Sequence, residues 1–300
     1  MLVALVACAT PEPSAEPDLP CIPRSTRCAS VTAEAVCSED GLAWQSAPCG
    51  VEAACLSSLP GARCEEHPDG ARSVEENLAS ITRLSLPGGG TCTAFFVADD
   101  VLLTNHHCCP DPEACVGAVA DPLYRSPGID PTAVELLVVD TIATTQALDA
   151  AALRVELPDG FVAPHVVFEV PRDLTREPIY VVGHPAGRPL ESSLGIAYLF
   201  ADEVTYQYAS GPKTKLSQVL YWAQAEPGSS GSPVFSVATH ALAMLHHTGG
   251  LHPEHFGATR EQTGEFTQLL GATDARVIFE WLRDHGVGAR QLDSAYVGAP

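Results

Sequence analysis

Three short stretches of this chain hold the residue types that nucleophilic acyl chemistry uses. Residues 228–232 read Gly-Ser-Ser-Gly-Ser and offer three hydroxyls, Ser229, Ser230 and Ser232, in a loop that ends in Pro233 and an apolar run. A serine hydroxyl is a poor nucleophile at neutral pH and needs a base within hydrogen-bond reach. Two adjacent imidazoles, His106 and His107, close the stretch 94–104, which is rich in apolar residues. Asp149 stands beside Leu148, Ala150, Ala151 and Ala152. An acid in such company is costly to bury unless its charge is used, and accepting an imidazole N–H would use it. Asp140 is its competitor.

With their flanks, the three stretches resemble the trypsin-like, chymotrypsin-fold serine peptidases. Residues 90–108 carry a strand, an acidic turn at Asp99 and Asp100, and a second strand ending in Thr104-Asn105-His106-His107-Cys108. The family's strand end reads Thr-Ala-Ala-His-Cys, or Thr-Asn-x-His in many bacterial members. The match implies His107, not His106, as catalytic histidine. It also implies a disulfide between Cys92 and Cys108, and with those two assigned, Cys109 and Cys115 are expected to form a small local one. Residues 148–155 are similar to the family's Asp-x-Ala-Leu-Leu-x-Val strand, which gives Asp149 as the residue orienting the imidazole. Residues 226–235 resemble the nucleophile loop Gly-x-Ser-Gly-x-Pro, which gives Ser230 as nucleophile and the amides of Gly228 and Ser230 as the oxyanion hole.

The order His107, Asp149, Ser230 is that of the trypsin-like enzymes. An α/β-hydrolase elbow needs glycine two residues after the serine, where Ser232 stands. Residues 181–187 and 245–250 resemble turn and cleft segments of bacterial glutamyl-endopeptidase-like members, the nearest subgroup. That implies a substrate cleft bordered by Ala225, His246, His247 and Gly249. Ala225 replaces the hydroxyl residue expected for acidic specificity, which argues against that preference. Ser229 replaces the aspartate that pairs with a freed N-terminus in digestive members, so zymogen cleavage of that kind is not expected.

Positioning such residues takes short strands. Between 74 and 290, stretches such as 81–86, 94–97, 101–104, 134–139, 152–155, 179–182, 196–200, 219–222, 233–235 and 241–245 are strand-like and punctuated by Gly and Pro. This predicts an all-β chain. At the end the period changes: Asp274 can cap a helix with Val277, Ile278, Trp281 and Leu282 on one face, ended by Gly286. The fold expected is a double, six-stranded-type antiparallel β-barrel peptidase domain with a C-terminal helix, behind a small disulfide-rich module.

The rest of the chain reads as an exported protein. Of 300 residues, 16 are Lys or Arg and 37 are Asp or Glu, a net charge of −21 that repels phosphate backbones, so no nucleic acid is expected as partner. Eleven cysteines point to disulfides and an oxidising compartment. Residues 1–8 resemble the end of a lipoprotein signal whose Leu5-Val6-Ala7-Cys8 box is cut before a lipidated Cys8. Setting Cys8 aside leaves an even number of cysteines. Residues 9–20 form a Pro-rich tether, 21–64 a module with six cysteines of undetermined connectivity, 65–73 a linker, 74–290 the peptidase domain and 291–300 a tail. The module has no Cys-x-x-Cys pair, and His246, His247, His252 and His255 fall partly in the cleft segment, so no metal is expected.

The expected activity is that of an exported serine endopeptidase acting on protein or peptide through an acyl-enzyme. It would need no cofactor and would be a monomer, held at the outer membrane or cell surface only through Cys8, or otherwise secreted. The rival is a non-enzymatic envelope adhesion or binding lipoprotein that uses the barrel as a scaffold.

Overall fold

The computed structural model describes residues 45, 76–122, 124, 134–169, 173–208, 211–251 and 269–292 with their side chains, together with the backbone of α1 and of five strands between residues 26 and 66. Cys8, the tether, the disulfides of the cysteine-rich module, His252, His255 and residues 293–300 lie outside the described residues. In the module, β1 (Thr26–Ser30), β2 (Ala33–Cys37) and β3 (Trp44–Pro48) form one antiparallel sheet. β4 (Ala53–Ser58) and β5 (Gly61–Glu66) form a hairpin in which Cys55 is the register partner of Cys64.

A short helix α1 (Val74–Ala79) leads into β6 (Ile81–Ser85), β7 (Thr91–Ala98), β8 (Val101–Thr104), β9 (Val119–Asp121), β10 (Leu136–Thr145) and β11 (Ala150–Glu156). These six close into a barrel in the order β10-β11-β8-β7-β6-β9. A second sheet holds β12 (Val167–Phe168), β13 (Pro178–Gly183), β14 (Glu191–Tyr208), β15 (Gly211–Trp222), β16 (Pro233–Ser236), β17 (Leu242–Leu251), β18 (Leu269–Asp274) and β19 (Arg290–Gln291). Its order is β16-β13-β14-β15-β18-β17-β12-β19, and an extra β16–β17 pairing closes its first six strands into a ring.

The apolar runs in β7 and β13 are continuous because both faces of each strand are covered. Successive side chains of a strand point to opposite sides. Ala94 and Phe96 accordingly fill the first barrel with Leu102, Leu136 and Leu153, while Phe95 and Val97 face a core shared with the second sheet. β13 does the same, sending Ile179 and Val181 into the second barrel and Tyr180 and Val182 into the shared core. That core is also where α2 (Ala275–Asp284) docks. Asp274 caps this helix by accepting a hydrogen bond from the Arg276 N–H, Ile278 and Leu282 are fully buried, and Gly286 takes the left-handed conformation that ends it.

Two expectations needed revision in extent. α1 was not expected, and β14 and β15 run far beyond the 196–200 and 219–222 stretches, β14 through a short alternation that buries Val204 and Tyr206 and β15 through a segment with no buried apolar residue before Val219.

Candidate active site

The loop that follows β8 carries the two imidazoles, and local bonds aim them apart. His106 Nδ1 donates to the Thr144 hydroxyl at 2.8 Å, which in turn donates to the Cys109 carbonyl at 2.9 Å. His107 points the other way. Its backbone N–H donates to Asp149 Oδ1 at 2.9 Å, its Nδ1 lies 2.9 Å from Oδ2, and its Nε2 lies 2.8 Å from Ser230 Oγ. With Nδ1 bearing the proton toward the carboxylate, Nε2 is free to accept from the serine. Disulfides Cys92–Cys108 and Cys109–Cys115 flank the histidine, and the first ties its loop to β7.

Asp149 ends the tight turn between β10 and β11 in a left-handed conformation, φ 47°, which aspartate tolerates better than most residues. The turn drives its side chain inward to 1% exposure. The Asn105 amide holds the Asp149 carbonyl at 2.9 Å. Burial alone would raise its carboxyl pKa, but the hydrogen bond from His107 and the fields of His107, His247 and Lys215 outweigh that and hold it far below the ordinary carboxylate range. Asp140, the competitor, stays on the barrel wall in β10, opposite Arg154.

The 226–232 loop, which carries Ser230, is gripped from β7. The Thr93 N–H donates to the Ser230 carbonyl at 2.8 Å and the Thr93 hydroxyl to the Gly228 carbonyl at 3.1 Å. Gly231, at φ 85°, passes so close that a Cβ there would lie 2.1 Å from the Thr93 carbonyl oxygen, which excludes any larger residue. Gly228 is also left-handed, at φ 97°. The carbonyl before it, on Pro227, accepts a bond from the Ala186 N–H at 2.6 Å. In a planar trans peptide the N–H points opposite to the C=O, so this bond turns the Gly228 N–H away from the 185–187 turn. Ser229 Oγ accepts from the Glu226 N–H at 3.3 Å, and Ser232 is fully buried, so neither hydroxyl is bonded to His107.

The four residues expected at the cleft divide. Gly249 is exposed on β17. Ala225 borders a 70 Å³ cavity with Glu191, Gln224 and Ser229. His246 and His247 are both 4% exposed and look inward. His246 Nδ1 lies 2.7 Å from the Tyr221 hydroxyl, and burial lowers its pKa to about 3. His247 sits behind Asp149 and reaches Lys215 at 3.2 Å and Gln218 at 2.6 Å. Among the described residues no group of three or more His, Cys, Asp or Glu is arranged to hold a metal. Sequence reasoning missed Lys215 and Gln218, which no motif marks, and the part that Thr93 plays from within the 90–108 segment. The one available signal was that a lysine occupies a strand whose neighbours are apolar further on.

A profile of the trypsin-like peptidase domain matches residues 92–244, just over half of the chain and all three site segments. This chain belongs to the trypsin-like peptidases. Two solved structures share the peptidase's fold: the Rv3671c protease from M. tuberculosis in its active form, at 15% identity and TM-score 0.54 over 80% of this chain and 97% of that one, and the same protease in its inactive form, at 17% and 0.51 over 71% and 92%. At these identities the likeness is one of fold. No curated protein matches the peptidase.

Proposed function

We propose that this trypsin-like peptidase is an exported serine endopeptidase working through a Ser230-His107-Asp149 triad. Ser230 Oγ attacks the scissile carbonyl while His107 Nε2 takes its proton. The same nitrogen returns the proton to the leaving amine, and water then repeats the sequence on the acyl-enzyme. Asp149 orients the imidazole and stabilises its charged form. The Gly228 and Ser230 amides receive the developing oxyanion, with Thr93 and Ala186 holding the loop that carries them. The observation that carries this reading is the unbroken chain of contacts from Asp149 Oδ2 through His107 to Ser230 Oγ, 2.9 and 2.8 Å long. A preference for acidic side chains draws no support from His246, which is buried against Tyr221. Export and attachment through Cys8 rest on the cysteine content and the residues 5–8.

A fluorophosphonate probe tests the triad. The parent should label at Ser230, and Ser230→Ala should abolish labelling and lower peptide turnover by roughly a millionfold. Ser229→Ala and Ser232→Ala should retain both. Labelling lost with Ser229→Ala but kept with Ser230→Ala would overturn the assignment. Cell fractionation of the Cys8→Ser variant tests anchoring; a variant that stays with the membrane as the parent does would rule out the lipid.

A further inference from the structure

A buried lysine touches the aspartate that orients His107. Lys215, on β15, is 3% exposed, and its ammonium donates to Asp149 Oδ2, the same oxygen that faces His107 Nδ1. A charge with so little contact to water must find its partners in the protein. Here they are the carboxylate, His247 Nδ1 at 3.2 Å, and the ring faces of Tyr206 and Tyr208 at 5.4 and 5.5 Å. Since an ammonium only donates, His247 Nδ1 must accept, which puts the His247 proton on Nε2. That nitrogen then donates to Gln218 Oε1 at 2.6 Å. Gln218 also accepts from the Tyr206 hydroxyl at 2.7 Å and donates to Thr273, whose hydroxyl returns to the carbonyl of Leu148, next to Asp149.

The backbone is bent to allow this. Lys215 is buried while its neighbour Leu216 is 42% exposed, the reverse of what the hydrophobic effect alone would select. Ser217 adopts φ 50°, and after it Gln218 faces the same interior as Lys215, against strand alternation. The Leu216 N–H bonds the Ala147 carbonyl at 2.7 Å, fastening β15 to the turn that presents Asp149. A strained, non-glycine residue in a strand that delivers a buried cation to one carboxylate marks a placed group.

We propose that Lys215 is a positioning residue of the triad: it fixes the Asp149 carboxylate against His107 Nδ1 and offsets the field that this carboxylate exerts on the imidazole. This rests on the serine-peptidase reading above. The charged and titratable groups around the triad are Asp149 on the β10–β11 turn, His106 beside His107, Lys213 and Lys215 on β15, Tyr206 and Tyr208 on β14, and His246 and His247 on β17. Among them Asp149 favours an imidazolium, and Lys215 is the cation bonded directly to it. Removing that cation leaves the full carboxylate field on the imidazole, which then protonates at higher pH.

The experiment is the rate of Ser230 labelling by a fluorophosphonate as a function of pH, which requires no knowledge of the natural substrate. In Lys215→Met the acid limb should move up by about one pH unit, and Lys215→Arg, which keeps the charge, should move it back toward the parent. A Lys215→Met protein whose plateau drops while its acid limb stays in place would overturn the proposal and leave Lys215 as packing. Should Lys215→Met fail to fold, Lys215→Gln, neutral but still able to hydrogen-bond Asp149, carries the same test with the same two outcomes. A parent protein that never labels would sink the peptidase reading itself, whereas a labelling parent with an unmoved limb sinks only this inference.

Discussion

Gly228 shows how much of the site depends on one missing side chain. A Cβ at this position would lie 2.8 Å from the His184 carbonyl oxygen and 2.9 Å from the Ala186 nitrogen, the nitrogen that holds the Pro227 carbonyl. Gly228→Ala therefore strains a left-handed backbone and pushes the peptide off its anchor. The expected result is a 10²- to 10³-fold loss in kcat, about 3 kcal/mol of barrier, with KM little changed, measured on any peptide substrate the parent cleaves. An unchanged kcat would show that the Gly228 amide takes no part. At this scale the sequence reveals residues that sit in short contiguous patterns. His107 follows from its strand-end motif, and Ser230 from its loop. Lys215 has no such pattern, because its partner Asp149 is 66 positions away and only the folded chain juxtaposes them.

At the scale of elements, legibility tracks apolar content. α2 was readable because its cap, its apolar face and its terminating glycine are all local, and β7 because six of its eight residues are buried. The outer halves of β14 and β15 were not: in β14 only Val204 and Tyr206 are buried, between exposed Glu203, Thr205 and Gln207, an alternation only five residues long, and β15 opens with Gly211 and Pro212 and buries no apolar residue before Val219. In β15 the alternation even misleads, offering Leu216 for burial where the structure buries Lys215. The Cys109–Cys115 link lends itself to an element-scale prediction. It closes a loop six positions long beside His107. By loop entropy the Cys109→Ser/Cys115→Ser double variant should lose about 2 kcal/mol in denaturant unfolding. Its labelling should survive, because the contacts of His107 with Asp149 and Ser230 do not pass through this loop; lost labelling in a folded double variant would contradict that separation.

The whole molecule stores its acid sensitivity in buried imidazoles. Burial lowers the pKa of His184 to about 4, against a smaller upward pull from the Arg188 carbonyl, lowers that of His246 to about 3, and holds that of His247 well below the ordinary histidine value. Each is neutral when folded and takes up a proton on unfolding below the ordinary histidine value of about 6.5. Their contribution is therefore complete above that value and is lost as pH falls, at ~1.4 kcal/mol per pH unit for each histidine. Asp149, whose carboxyl is also depressed and so stays ionised when folded, adds its own loss only below about pH 4. Urea midpoints should thus drop clearly between about pH 7 and about pH 5, and a flat profile would contradict the burial of these rings. The hairpin of β14 and β15, which carries Lys215 from the second barrel to the turn of the first, has a consequence in time as well. The first barrel's β6, β7 and β8 pair with their neighbours in the chain, whereas the contacts that finish the site join residues 66, 123 and 135 positions apart. Long loops close slowly, and their entropy must be spent before such contacts return anything. During refolding with disulfides intact, far-ultraviolet circular dichroism should recover before probe labelling does, so that each chain passes through an interval in which it is largely folded and chemically silent.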